Sequence, residues 1–130
     1  METRLLLLED EPLILMDLEY AASDRGFSPV SAHSCEEALA LIEEHAETLK
    51  FAILDVSLGG GATCLPVARE LERRSIPFIL HSGDLDRQEE TVRELSAELI
   101  AKPVPAEKVI SAAIAFACGQ DPDAVRMAAE

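Results

Sequence analysis

Apolar and polar residues along this chain come in blocks. The short apolar runs 5–8, 51–54, 77–80 and 99–101 each stop abruptly at a reactive polar residue: Glu9-Asp10, Asp55, His81-Ser82 and Lys102. Helix-length segments with a single apolar stripe lie between them. Continuous apolar runs, unlike alternating ones, mark strands buried on both faces, and helical spacers between them mark βαβ units. The pattern predicts a parallel sheet covered on both sides. Strands of such a sheet all end at one edge, so the polar residues that stop the runs share a single crevice there.

In chain order, the first strand spans 4–8. Glu9-Asp10-Glu11-Pro12 then opens a helix, with acids at the positive end of its dipole and Pro12 in the first turn, where a missing N–H does no harm. Ile14, Leu18, Ala21 and Ala22 fall on one helical face, and Gly26 supplies the stop. The second strand, 27–33, contains Pro29, which cannot donate to a ladder and so confines that strand to a sheet edge. Ser34-Cys35-Glu36-Glu37 has capping-box spacing and starts a helix that continues through Ala38 and Ile42 to about residue 47. Strand 51–55 precedes a glycine-rich loop at 57–62. The elements that follow are a helix over 63–74 with Cys64, Ala68 and Leu71 inward, a strand at 77–81, a short helix at 86–95 with Val92 and Leu95 inward, a strand at 98–101, and a helix at 105–118. That last helix is apolar on two faces, one with Ile110, Ala113, Ile114 and Ala117, the other with Val109, Ala112 and Phe116. Five βα units with the second strand at an edge predict an α/β fold: a doubly wound, five-stranded parallel sheet of order 2-1-3-4-5, flavodoxin-like, with five helices. The expected organisation is one domain over 1–118 and a short tail over 119–130 that is too short to form a stable element alone.

Composition narrows the function. A chain of 130 residues that is 48% hydrophobic can bury a real core of Leu, Ile, Val and Ala. The formal net charge of −14, from 25 acids against 11 bases, argues against a nucleic-acid partner, which requires a basic face. Cys35, Cys64 and Cys118 are widely spaced, with no Cys-x-x-Cys pair to suggest zinc or a redox couple, and read as small buried hydrophobes. The apolar run at 5–8 is too short for a signal segment and no run approaches a membrane span, so the expectation is a soluble cytosolic protein with no membrane partner.

The strand order sets the chemistry. It places the ends of the first and third strands side by side, bringing Glu9 and Asp10 within roughly 5 to 8 Å of Asp55. Oxygen ligands clustered without His or Cys select a hard divalent ion, and Mg²⁺ held by carboxylates together with phosphate oxygens is the usual case. Ser82 and Lys102 come from the other side, a hydroxyl and a cation able to hold anionic oxygens. Together these residues describe a phosphoryl-transfer site with Asp55 as nucleophile.

With these five positions in order, residues 3–118 resemble the receiver domains of two-component response regulators. The resemblance implies a bacterial signalling protein that is no enzyme but assists its own phosphorylation and dephosphorylation. It implies that Glu9 and Asp10 bind Mg²⁺ together with Asp55 and the backbone carbonyl of Ser57, and that Asp55 is phosphorylated by a sensor histidine kinase or a histidine phosphotransfer protein. Ser82 and Lys102 would contact the phosphoryl group, with the Lys102-Pro103 bond cis. The surface of the fourth helix, fifth strand and fifth helix would dock a downstream target or a second copy. Ending after the last helix, the chain resembles a stand-alone receiver. It departs from the pattern at Leu99, where receivers usually carry an aromatic switch residue, and at Ser57-Leu58-Gly59-Gly60, where many have a proline. The switch is therefore expected in the 86–95 helix and the loop at Gly83 that leads into it.

Each of these residues also has a plain structural reading. Asp55 and Ser82 would serve as turn residues, Glu9 and Asp10 as helix caps, and Lys102 as a solvated strand-end lysine. Glu11 is better read as a cap, Asp84 as a loop acid, and His33, His45 and His81 as structural or surface residues. A flavin-binding protein of this topology would need a phosphate loop where Glu9-Asp10-Glu11 would repel the ligand. An aspartate-nucleophile phosphatase would need a carboxylate where Ser57 stands. The remaining alternative is a pseudo-receiver that binds proteins without being phosphorylated.

Overall fold

The structure is a computed structural model and describes residues 3–56, 58, 63–82, 98–101 and 105–117, with the backbone alone at 82 and 98–101. Strands β1 (Arg4–Leu8), β2 (Ser28–Ala32), β3 (Leu49–Asp55), β4 (Phe78–Ser82) and β5 (Glu98–Ala101) form one parallel sheet in the order β2-β1-β3-β4-β5. The described helices are α1 (Pro12–Asp24), α2 (Cys35–His45), α3 (Leu65–Arg73) and α4 (Ala106–Ala117). The helix expected over 86–95 and the tail over 119–130 lie outside the described residues.

Successive strand residues point to opposite faces, and both faces are apolar, so the core forms two layers. Leu6, Leu8, Ala52, Leu54 and Leu80 pack with Ala38 and Ile42 of α2 and Val67, Ala68 and Leu71 of α3. Leu5, Leu7, Phe51, Ile53 and Ile79 pack with Leu15, Leu18 and Ala22 of α1 and Val109, Ile110 and Ala113 of α4. Each fully buried Leu or Ile contributes about 1.5–3 kcal/mol of transfer free energy, which holds the central strand ends in fixed register. Pro29 sits in β2, which pairs with β1 alone, so its missing N–H is tolerated.

β3 begins two residues earlier than expected, at Leu49, and α2 ends at His45; three helices also differ in how they pack or start. In α1, Leu15 is buried and Ile14 only partly so, because Leu13 to Met16 is an unbroken apolar stretch that sets no phase, and Leu13 and Met16 are left exposed. α3 begins at Leu65, and Cys64 is its N-cap, with its N–H donating to Val56 O at 3.0 Å. In α4 the two apolar faces merge. Val109 is as buried as Ile110, and Ala112, Phe116 and Ala117 pack partly buried on the same cluster, since α4 lies against both the sheet and α1.

Candidate functional site

The carboxyl edge of the sheet is built from the ends of β1, β3 and β4. Leu8 is in register with Ala32 on one side and Leu54 on the other, and the N–H of Glu9 donates to Ala32 O at 3.1 Å, so the β1–β2 ladder carries on into Glu9. The chain then turns into α1. Glu11 takes the N-cap position, in line with its reading as a cap, but makes no side-chain cap bond. Instead its own N–H donates to Glu9 Oε2 at 3.3 Å. Glu9 is 1% exposed and Asp55 3%, while Asp10 is partly exposed. One carboxylate oxygen from each of Glu9, Asp10 and Asp55 lies within 4.8 Å of the other two. That is tighter than strand spacing alone implied. The donor set is all oxygen, two of the three side chains are withdrawn from water, and like charges at this range repel, so the arrangement fits a hard divalent cation such as Mg²⁺.

Val56 and Cys64 close the loop that follows Asp55. Burial pushes the Cys64 thiol up to about 12, and Cys35 and the Asp55 carboxylate add to the effect, so Cys64 stays a protonated core residue beside the site. Cys35, half-buried, donates its thiol hydrogen to Thr63 O at 3.1 Å. Of the other residues read as functional, Ser82 ends β4 and is described through its backbone. Ser57, Lys102 and Pro103 lie outside the described residues. His81 carries a signal that sequence reasoning passed over: it is 3% exposed and is the register partner of Asp55 on the adjacent strand. Counting two residues on from Ile79 in the apolar run would have placed it inward.

No family model matches the chain. The chain is 31% identical over 120 residues to the phyllosphere-induced regulator PhyR of Methylorubrum extorquens, and the match covers 89% of this chain and 45% of that protein. Among solved structures, the response regulator PhyR of Brucella abortus superimposes with a TM-score of 0.73 at 31% identity, over 98% of this chain and 54% of that one. SdrG of Sphingomonas melonis Fr1 superimposes with a TM-score of 0.72 at 35% identity, over 89% of this chain and 96% of that one. The chain belongs to the response regulator receiver family. A receiver protein of Sinorhizobium medicae, at 19% identity, shares the fold with a TM-score of 0.79 over 92% of this chain and 98% of its own. The receiver fold and the PhyR relatives connect the chain to two-component signalling. It spans about 45% of the length of the curated relative that it matches. No described helix is long and apolar enough to cross a membrane.

Proposed function

We propose that Asp55 accepts a phosphoryl group from a sensor histidine kinase or a histidine phosphotransfer protein in a Mg²⁺-dependent reaction, and that its phosphorylation state switches partner binding. The observation that carries this reading is the buried Asp55 carboxylate within 4.8 Å of Glu9 and Asp10 at the carboxyl edge of a receiver sheet. In the transfer, an Asp55 oxygen bonds to phosphorus as the N–P bond of the donor's phosphohistidine breaks, and the electron pair stays on the imidazole nitrogen, which takes up a proton. Glu9, Asp10 and Asp55, together with the backbone carbonyl of Ser57, would hold Mg²⁺. When bound, the ion supplies positive charge that offsets the carboxylates and the phosphoryl oxygens. Ser82 and Lys102 are assigned the hydrogen bond and the charge-assisted contact to those oxygens.

Exposure on α1 supports one partner surface. Leu13, Met16 and Tyr20 stand 72%, 56% and 79% exposed along α1, whose first turn adjoins Asp10, and this apolar stripe suits the phosphoryl donor. Because the inner faces of α4 are occupied, the downstream target or a second copy is assigned to β5, the outer side of α4 and the segment 86–95. Intact mass tests the reading. Incubation with acetyl phosphate and Mg²⁺ should add one phosphoryl mass to the native protein, and none in EDTA or in Asp55→Asn. A native protein that takes up nothing would favour the phosphorylation-independent pseudo-receiver.

A further inference from the structure

Among the described residues the buried polar side chains are Glu9, Asp55 and His81, at 1%, 3% and 3% exposure, and they cluster at the carboxyl ends of three adjacent strands: Glu9 follows β1, Asp55 ends β3 and His81 is the penultimate residue of β4. Asp55 and His81 are register partners. Ile53 and Ile79, two residues earlier in each strand, both pack in the layer under α1 and α4, so the carboxylate and the imidazole leave the same face of the sheet. Neighbouring strands run roughly 4.8 Å apart, which makes the two side chains immediate neighbours. Filling this position does not require an imidazole. The run before it is Phe78-Ile79-Leu80, and a Leu or Met would fill the space without the cost of burying polar nitrogens. An ionised carboxylate offers only acceptors, whereas imidazole carries at least one N–H in every tautomer and charge state, so the two groups are complementary.

We infer that His81 offers an imidazole N–H to the Asp55 oxygen as charge develops on it during hydrolysis, and thereby sets the lifetime of its phosphoryl group. The inference rests on the reading of Asp55 as phosphoacceptor. In hydrolysis a water oxygen bonds to phosphorus while the bond from phosphorus to the Asp55 oxygen breaks. The electron pair returns to Asp55 as carboxylate, and the water's proton leaves with inorganic phosphate or to solvent. Negative charge grows on Asp55 as that bond breaks, and an N–H donor on the neighbouring strand lowers the barrier by hydrogen-bonding to it at that stage. His81 therefore shortens the lifetime. Hydrogen bonds to charged groups are the strong ones, and with charge only partly developed, loss of this one slows hydrolysis about tenfold.

The test is a chase. The full chain is phosphorylated with acetyl phosphate and Mg²⁺, desalted into Mg²⁺ buffer, and followed by intact mass until the phosphoryl group is gone. His81→Leu should keep the group about tenfold longer than the native protein, and His81→Gln, which retains an N–H donor, should fall close to native. Equal lifetimes for native and His81→Leu would overturn the inference, as would equal lengthening in His81→Leu and His81→Gln, which would mean packing alone. Should a variant not fold, the native protein still decides: the His81 imidazole ¹⁵N resonances should shift on adding the phosphoryl mimic beryllofluoride, and unchanged resonances would overturn the inference. No mass gain on the native protein would remove this inference together with the phosphoacceptor reading. A mass gain with equal lifetimes would remove this inference alone.

Discussion

Replacing Asp10 by Asn removes one of three carboxylates whose oxygens lie within 4.8 Å of one another. Two unit charges at that range repel by about 0.9 kcal/mol in a water-like medium and by about 3.5 kcal/mol at an effective dielectric of about 20. Asp10 is partly exposed, so solvent screens its share and the lower end of that range applies. The metal-free variant should gain about 1 kcal/mol, a rise in Tm of about 3 to 5 °C for a chain of this length. The same change removes an oxygen ligand, so the rise in Tm that Mg²⁺ produces through preferential binding to the native state should shrink. Thermal denaturation of both proteins at low ionic strength, in EDTA and in millimolar Mg²⁺, reads both effects. The reasoning is refuted by a variant that melts below the native protein in EDTA, or by one that Mg²⁺ stabilises as much as native.

Other expected outcomes test the scaffold. Ser34 Oγ accepts from the N–H of Glu37 at 3.3 Å, and Ser34→Ala should cost about 1 kcal/mol, read as a lower urea midpoint at unchanged slope. Ser75 holds a φ of 59° in the turn before β4, a conformation that costs a residue with a Cβ about 1 kcal/mol or more. Ser75→Gly should therefore be neutral to slightly stabilising in urea unfolding, and Ser75→Val clearly destabilising. Hydrogen bonds from Arg73 and then Arg74 hold the Glu70 carboxyl down from 4.5 to about 2. A folded-state value below the unfolded one gives stability that is fully present above pH 4.5 and is lost as pH falls towards 2. Glu70→Gln should abolish that part of the acid dependence, and since the group lies at the surface, added salt should weaken it in the native protein.

The strand ends were legible because apolar runs stop abruptly at charged residues, and a charge at such a point fits only the open edge of a sheet. Pro29 fixed the edge strand through its missing donor, and with that strand placed, Glu9, Asp10 and Asp55 had to meet. The capping box was legible too. Its return bond, however, is donated by the N–H of His33, not that of Ser34, and Glu37 Oε1 accepts it. The phase of α1 was not legible, since four successive apolar residues at 13–16 satisfy more than one face. The two apolar faces of α4 left open whether the second was packed or waiting for a partner, and only the fold shows that, between the sheet and α1, Val109 is buried and Ala112 and Phe116 pack partly buried on the same cluster. His81 was passed over because a lone histidine has no spacing partner in sequence, and its relation to Asp55 exists only in the register of β3 with β4.

The central claim is that Asp55 is the residue that carries the phosphoryl group. Borohydride trapping measures this most directly. It reduces an aspartyl phosphate to homoserine, which peptide mass spectrometry locates in the chain. After treatment with acetyl phosphate, the account expects homoserine at position 55 when Mg²⁺ is present and none when EDTA replaces it. Homoserine at another acidic residue, or label that persists undiminished in Asp55→Asn, would contradict it.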